Sequence, residues 1–243
     1  MAGTKSFCLV GFAVMSIMAG PALGAYITDI SMVTNPKYIY KIPVGQTPGK
    51  FQLETSAGST NVTISLVHMR VNEVWGYDIV GTARYNLSGS NLLSDNSTSG
   101  KALGHFDDGA TLTISGSIKN LSTGSTIYTG TILTATVSDE FDMYEDEPLN
   151  PNWMHAHQNF TVTGGALSTG EAEGLRIMDF VAHYSFKLCT VEGGTNIQNL
   201  QGGNIKASLG NGSIQIAAPT PEPGTLGLLA IAGMVGLGKR RGL

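Results

Sequence analysis

Between Asp139 and Glu147 six of nine residues are acidic: Asp139, Glu140, Asp142, Glu145, Asp146 and Glu147. Carboxylates this dense repel one another unless solvent or cations compensate them. Oxygen donors of this kind suit Ca²⁺, which takes roughly six to eight of them, so Asp139, Asp142 and Glu145 are the candidate calcium ligands. The spacing is not that of an EF-hand, and Pro148 and Pro151 mark an exposed loop. A solvated acidic loop is the competing reading. Just downstream come Trp153, His155 and His157. A His-x-His pair on a strand puts both imidazoles on one face, a start for Zn²⁺ or another transition metal. No third histidine is fixed nearby by the sequence, and no resident cofactor is expected.

Signatures of catalysis are missing. The chain has no Gly-x-Ser-x-Gly elbow, P-loop, His-Glu-x-x-His or dinucleotide-binding glycine pattern. Two carboxylate pairs, Asp107 with Asp108 and Glu171 with Glu173, would serve a glycosidase only if the fold set two acids across a cleft. Asp107-Asp108-Gly109 reads more simply as a turn. His183 and Cys189 are six residues apart on one strand, about 20 Å, too far for a nucleophile–base pair. Cys8 departs with the leader described below, leaving Cys189 as a lone thiol with no internal disulfide to form, best read as a small apolar filler. Trp75, Tyr77, Tyr128, Trp153 and Tyr184 would stack on sugar rings if exposed, though most aromatics belong to cores.

The elements that must position these residues read as strands. In Thr111–Ile118, Leu112, Ile114 and Ile118 share one face and Thr111, Thr113, Ser115 and Ser117 the other. In Phe180–Leu188 the even positions are Phe180, Ala182, Tyr184, Phe186 and Leu188. Residues 61–69, 79–85, 127–137 and 160–163, with Ile205, Ala207 and Leu209 alternating and then Ile214 and Ile216, complete the expected set. Asn120–Ser125 and Gly210-Asn211-Gly212 have the chemistry of turns, and residues 86–101 and 196–204 that of polar loops. Leu167–Met178 is the one helical candidate, weakened by Gly170 and Gly174. The expectation is an all-β, antiparallel β-sandwich of jelly-roll type. A barrel or solenoid is disfavoured because no fixed-period repeat is found.

Both ends carry export chemistry. Lys5 precedes an apolar stretch from Phe7 to Ala19, and Pro21 leads into Ala22-Leu23-Gly24, with small residues where a signal peptidase reads. Residues 1–24 are therefore expected to be a signal peptide, with cleavage after Gly24. Residues 25–218 form the extracytoplasmic domain, enough for one sizeable core, and residues 219–243 a tail. In that tail Pro221-Glu222-Pro223 is followed by an apolar run from Gly224 to Gly238 and then Lys239, Arg240 and Arg241. Prolines hold the acid extended and accessible, and the cations stay on the cytoplasmic side. As a helix the fifteen apolar residues rise about 22 Å against a hydrocarbon core of about 30 Å. Five glycines weaken it further, so the run suits transient parking in the inner membrane better than a permanent anchor.

The tail resembles the PEP-CTERM sorting signal, also described as an ice-binding protein C-terminal domain, of diderm bacteria that make exopolysaccharide. The resemblance covers about a tenth of the chain: Pro221, Glu222 and Pro223 match the signature triplet, Leu226–Leu237 the helix, and Lys239, Arg240 and Arg241 the basic stop. It implies recognition by an exosortase, a membrane processing enzyme, with cleavage near the triplet and release or attachment outside. It implies nothing about what the domain binds.

Removing both signals takes four of 14 basic and one of 18 acidic residues, leaving 10 against 17, a net charge of −7. Such a domain repels DNA, so nucleic acid is not an expected partner. The sequence thus points to an exported surface or extracellular matrix protein with a structural or adhesive role linked to exopolysaccharide or biofilm, and not to an enzyme. A carbohydrate- or calcium-binding module is the alternative, and a secreted hydrolase the third.

Overall fold

A computed structural model describes residues 25–34, 38–41, 50–55, 57, 59–71, 74–96, 103–145, 153–192 and 206–218. The expected leader with Ala22 and Gly24, the stretch 196–204, and the expected sorting tail with Pro221, Glu222, Pro223, Lys239, Arg240 and Arg241 lie outside them. Among the described residues no helix is long and apolar enough to cross a membrane.

The described chain forms β1 (Ile27–Thr34), β2 (Tyr38–Lys41), β3 (Lys50–Glu54), β4 (Asn61–Val71), β5 (Val74–Leu87), β6 (Ser90–Asp95), β7 (Leu103–Phe106), β8 (Thr111–Asn120), β9 (Thr126–Val137), β10 (Phe141–Glu145), β11 (Trp153–Gly164), α1 (Ala166–Thr169), β12 (Phe180–Glu192) and β13 (Lys206–Ala217). Every named pair of neighbouring strands is antiparallel. The register shows that most of these strands are halves of longer ones. Along β13, β1 pairs from Asp29↔Ala217 to Thr34↔Gly212, and β2 continues the same line at Tyr38↔Ser208 and Lys41↔Lys206. In the same way β11 holds β9 at Phe160↔Val137 and β10 at Met143↔Ala156. β3 with β4, β5 with β6 and β7 with β8 are likewise collinear between their neighbours.

The result is an eight-stranded antiparallel barrel in sequential order, closed by β13 against β1 and β2. This corrects the sandwich expected from the sequence. Alternation reports which face of a strand is buried, and sandwich and barrel demand the same alternation. What separates them is the pairing of the first strand with the last, Ile30↔Ile216 among them. Nor does a meander closed on itself require a sequence repeat, so the ground for disfavouring a barrel fails.

Local patterns otherwise behave as read. Leu112, Ile114 and Ile118 of β8 are fully buried, as are Ala182, Tyr184 and Phe186 of β12, with Phe180 nearly so. The interior of an eight-stranded barrel is about wide enough for side chains to fill it. Here Phe51, Phe106, Phe141 and Tyr184 meet in edge and stacked contacts. Tyr85 and Tyr184 reach across from different strands to share a hydrogen bond of 2.6 Å.

Three loop and helix expectations change. Residues 86–101 contain β6, and Gly210-Asn211-Gly212 continues β13 instead of turning. Gly212 is there because Phe186 lies against it: a Cβ would stand 1.8 Å from the ring. The helical candidate shrinks to α1, which Gly170 ends in the left-handed conformation (φ 82°). The segment around α1 contributes Leu167, Ala172, Leu175 and Ile177 to the core. It is tied to the chain's first described residues by Ile27 N–H to Arg176 C=O (2.7 Å) and Arg176 N–H to Ala25 C=O (3.0 Å). Asn120–Ser125 is a turn as expected, its Asn120 Oδ1 accepting from Ser122 N–H at 3.0 Å.

Candidate functional surface on the outer wall

Because inner positions of each strand fill the barrel, chemistry-bearing side chains accumulate outside. On β11, Met154, Ala156 and Phe160 point inward and are buried, which turns His155 and His157 outward together, as their spacing predicts. β12 then supplies what the sequence could not: its register sets His183 directly opposite His157. The two rings stand 4.4 Å apart, centroid to centroid, at 73°. Tyr144 of β10 stacks on His155 at 5.8 Å and meets His157 edge-on at 6.2 Å. Partial burial, then the nearby His183 and His155, hold the His157 imidazole below its ordinary pKa, favouring the neutral ring.

Beyond β10, the acidic segment finds an imidazole partner within the protein. His105 of β7 bridges two carboxylates, with Nε2 2.8 Å from Glu140 and Nδ1 2.9 Å from Asp142. The Asp142 contact first, and the Glu140 contact next, raise the His105 pKa. Asp139 accepts instead from Asn159 Nδ2 at 3.0 Å. Of the three candidate calcium ligands, then, Asp142 faces His105 and Asp139 faces Asn159. The Glu145 side chain, with Asp146 and Glu147, lies outside the described residues. Among the described residues no three His, Cys, Asp or Glu side chains are grouped so as to hold a metal ion.

The His105 arrangement gives a pH signature. A raised folded-state value means that its contribution is fully present below the unfolded histidine value near about 6.5 and fades as pH rises through the folded one. His105→Gln is therefore expected to lower the melting temperature more at about pH 5.5 than at about pH 8.5. Equal losses at both would remove this account.

A second cluster crosses β1, β4 and β5. Arg70 lies over the Trp75 ring at 4.4 Å and pairs with Asp29 at 3.3 Å, while His68 Nδ1 contacts Asp78 at 2.7 Å. Trp75 keeps 42 % of its surface exposed. The other aromatic candidates differ: Tyr77, Tyr128 and Trp153 are half-buried, and Tyr184 is in the core.

The two carboxylate pairs sit in different places. Asp107 accepts from Asn91 N–H (2.5 Å) and Nδ2 (2.6 Å), pinning the turn between β7 and β8 as that motif suggested. Glu171 and Glu173 belong to the segment after α1. Cys189 is on β12, with its side chain outside the described residues. Inside the barrel Gln158 is fully buried, and neither amide atom finds a hydrogen-bond partner among the described residues. No protein-family model, curated protein or solved structure matches the chain.

Proposed function

We propose that the chain is an exported, exosortase-sorted protein of the cell surface or extracellular matrix, with a structural or adhesive role linked to exopolysaccharide and no catalytic activity of its own. The observation that carries this reading is the order Pro221-Glu222-Pro223, apolar run, Lys239-Arg240-Arg241, combined with a leader at the other end. A side-chain-filled antiparallel barrel with a Ser- and Thr-rich outer wall suits a scaffold outside the cell. The experiment is intact mass measurement of the protein from hosts with and without the exosortase. Loss of the segment after Pro221 only when the enzyme is present supports the reading. A full-length C-terminus in both means a plain membrane anchor.

Carbohydrate binding is the second reading, favoured by the exposed Trp75 and its Arg70–Asp29 support.

A further inference from the structure

The three outward imidazoles of β11 and β12 have no part in the sorting reading and stand independently of it. Directly opposed residues of an antiparallel pair hold their Cβ atoms about 4.5–5.5 Å apart on one face. His157 and His183 are such a pair, and their rings already touch at 4.4 Å. Imidazole nitrogen is a ligand for Zn²⁺, Ni²⁺ and Cu²⁺, at about 2.0–2.1 Å for zinc. Two rings this close need only a turn about the side-chain torsions, which are broad for histidine, to present one nitrogen each to a common ion.

We propose that His157 and His183 form a two-imidazole chelate for a late first-row divalent cation on the outer wall of the barrel, with Cu²⁺ bound most tightly. The preference for copper follows from the Irving–Williams order and from its acceptance of nitrogen ligands completed by water oxygens in a tetragonal arrangement. The protein supplies two ligands and not a closed cage, because no three donors converge among the described residues. This is the geometry of a capture site open to solvent or to a further ligand, not of a structural zinc centre, which is closed by four protein donors.

Two observations support the chelate beyond proximity. The strands carrying it are continuously paired from Trp153↔Lys187 to Phe160↔Phe180, so the backbone positions are preset. Tyr144 of β10 also meets the His157 ring edge-on at 6.2 Å, which orients that ligand.

The test is titration of the full chain with Cu²⁺, followed by calorimetry and electron paramagnetic resonance, and repeated with Ni²⁺ and Zn²⁺. Expected are one tight site, nitrogen hyperfine structure from two imidazoles, and affinity falling from Cu²⁺ to the other two. His157→Gln and His183→Gln should each weaken Cu²⁺ binding at least about tenfold, since loss of even an outer-shell partner costs that much. Each should also reduce the hyperfine pattern to one nitrogen. His68→Gln and His105→Gln should leave the affinity unchanged, and circular dichroism identifies any variant that fails to fold. Should a variant misfold, diethyl pyrocarbonate labelling of the wild type takes its place, with Cu²⁺ expected to protect His157 and His183 selectively. Unchanged binding in the folded double variant overturns the proposal. So does loss of binding in Cys189→Ser with both histidines intact.

Discussion

Phe51→Ala is expected to destabilise the protein by about 3–5 kcal/mol, a fall in melting temperature on the order of 10 °C. Phe51 is fully buried in β3, a strand of only five residues. Its ring meets Phe106 of β7 at 5.8 Å, Phe141 of β10 at 5.2 Å and Tyr184 of β12 at 5.5 Å, all edge-on. Such contacts add to what burial of the ring alone contributes. The backbone support here is thin: β3 joins β6 through just Lys50↔Asn91 and Phe51↔Ser90. The short strands β3, β7 and β10 are thus held in line largely by aromatic packing. The wall around them is hydrogen-bonded into a closed ring and cannot collapse into the space left behind, which places the cost at the upper end of such truncations. Denaturant unfolding measures it. Phe51→Leu should recover a good part of the loss, and a cost below about 1 kcal/mol for Phe51→Ala would show that the cluster does not organise this end.

The same short strands explain where the sequence could be read and where it could not. β8 and β12 were legible because ten or more residues alternate with little interruption, and each buries the face that its pattern names. β6 and β7, SNLLSD and LGHF, are too brief and too polar for a periodicity to emerge. They are strands because collinear neighbours on both sides present free backbone groups to pair with. Closure is a matter of register between the chain's first and last strands, information that no local window contains. At Gly210-Asn211-Gly212 turn chemistry misled, since Gly212 serves the close approach of Phe186 instead. The outer surface divides in the same way. His155 and His157 share a face by spacing alone, whereas His183 joins them only through pairing of β11 with β12. The acidic run was legible as charge, but its compensation by His105 depends on β7 lying beside β10.

Replacing either Tyr85 or Tyr184 by phenylalanine is expected to cost about 1–3 kcal/mol, and replacing both to cost less than the sum. The two hydroxyls meet at 2.6 Å inside the barrel, where both side chains are fully buried. One donates and the other accepts. Deleting one leaves its partner buried with nothing to bond, and it is that stranded hydroxyl, more than the lost bond, that sets the cost. Deleting both strands none, and the phenyl rings keep the contacts to Phe51 and Phe186. A double-mutant cycle should therefore return a coupling of about 1 kcal/mol or more; strictly additive losses would mean that the hydroxyls do not depend on each other. The pair also predicts behaviour in alkali. Burial pushes both phenols well above the ordinary value of 10.0. Groups whose folded value is raised contribute fully below the unfolded one, and the contribution erodes as pH climbs from there toward the folded value. Wild-type stability should fall above about pH 10, and the double phenylalanine variant should fall less steeply. That difference in slope separates a buried, hydrogen-bonded pair from two tyrosines that merely pack, because only groups denied water on folding resist ionisation there.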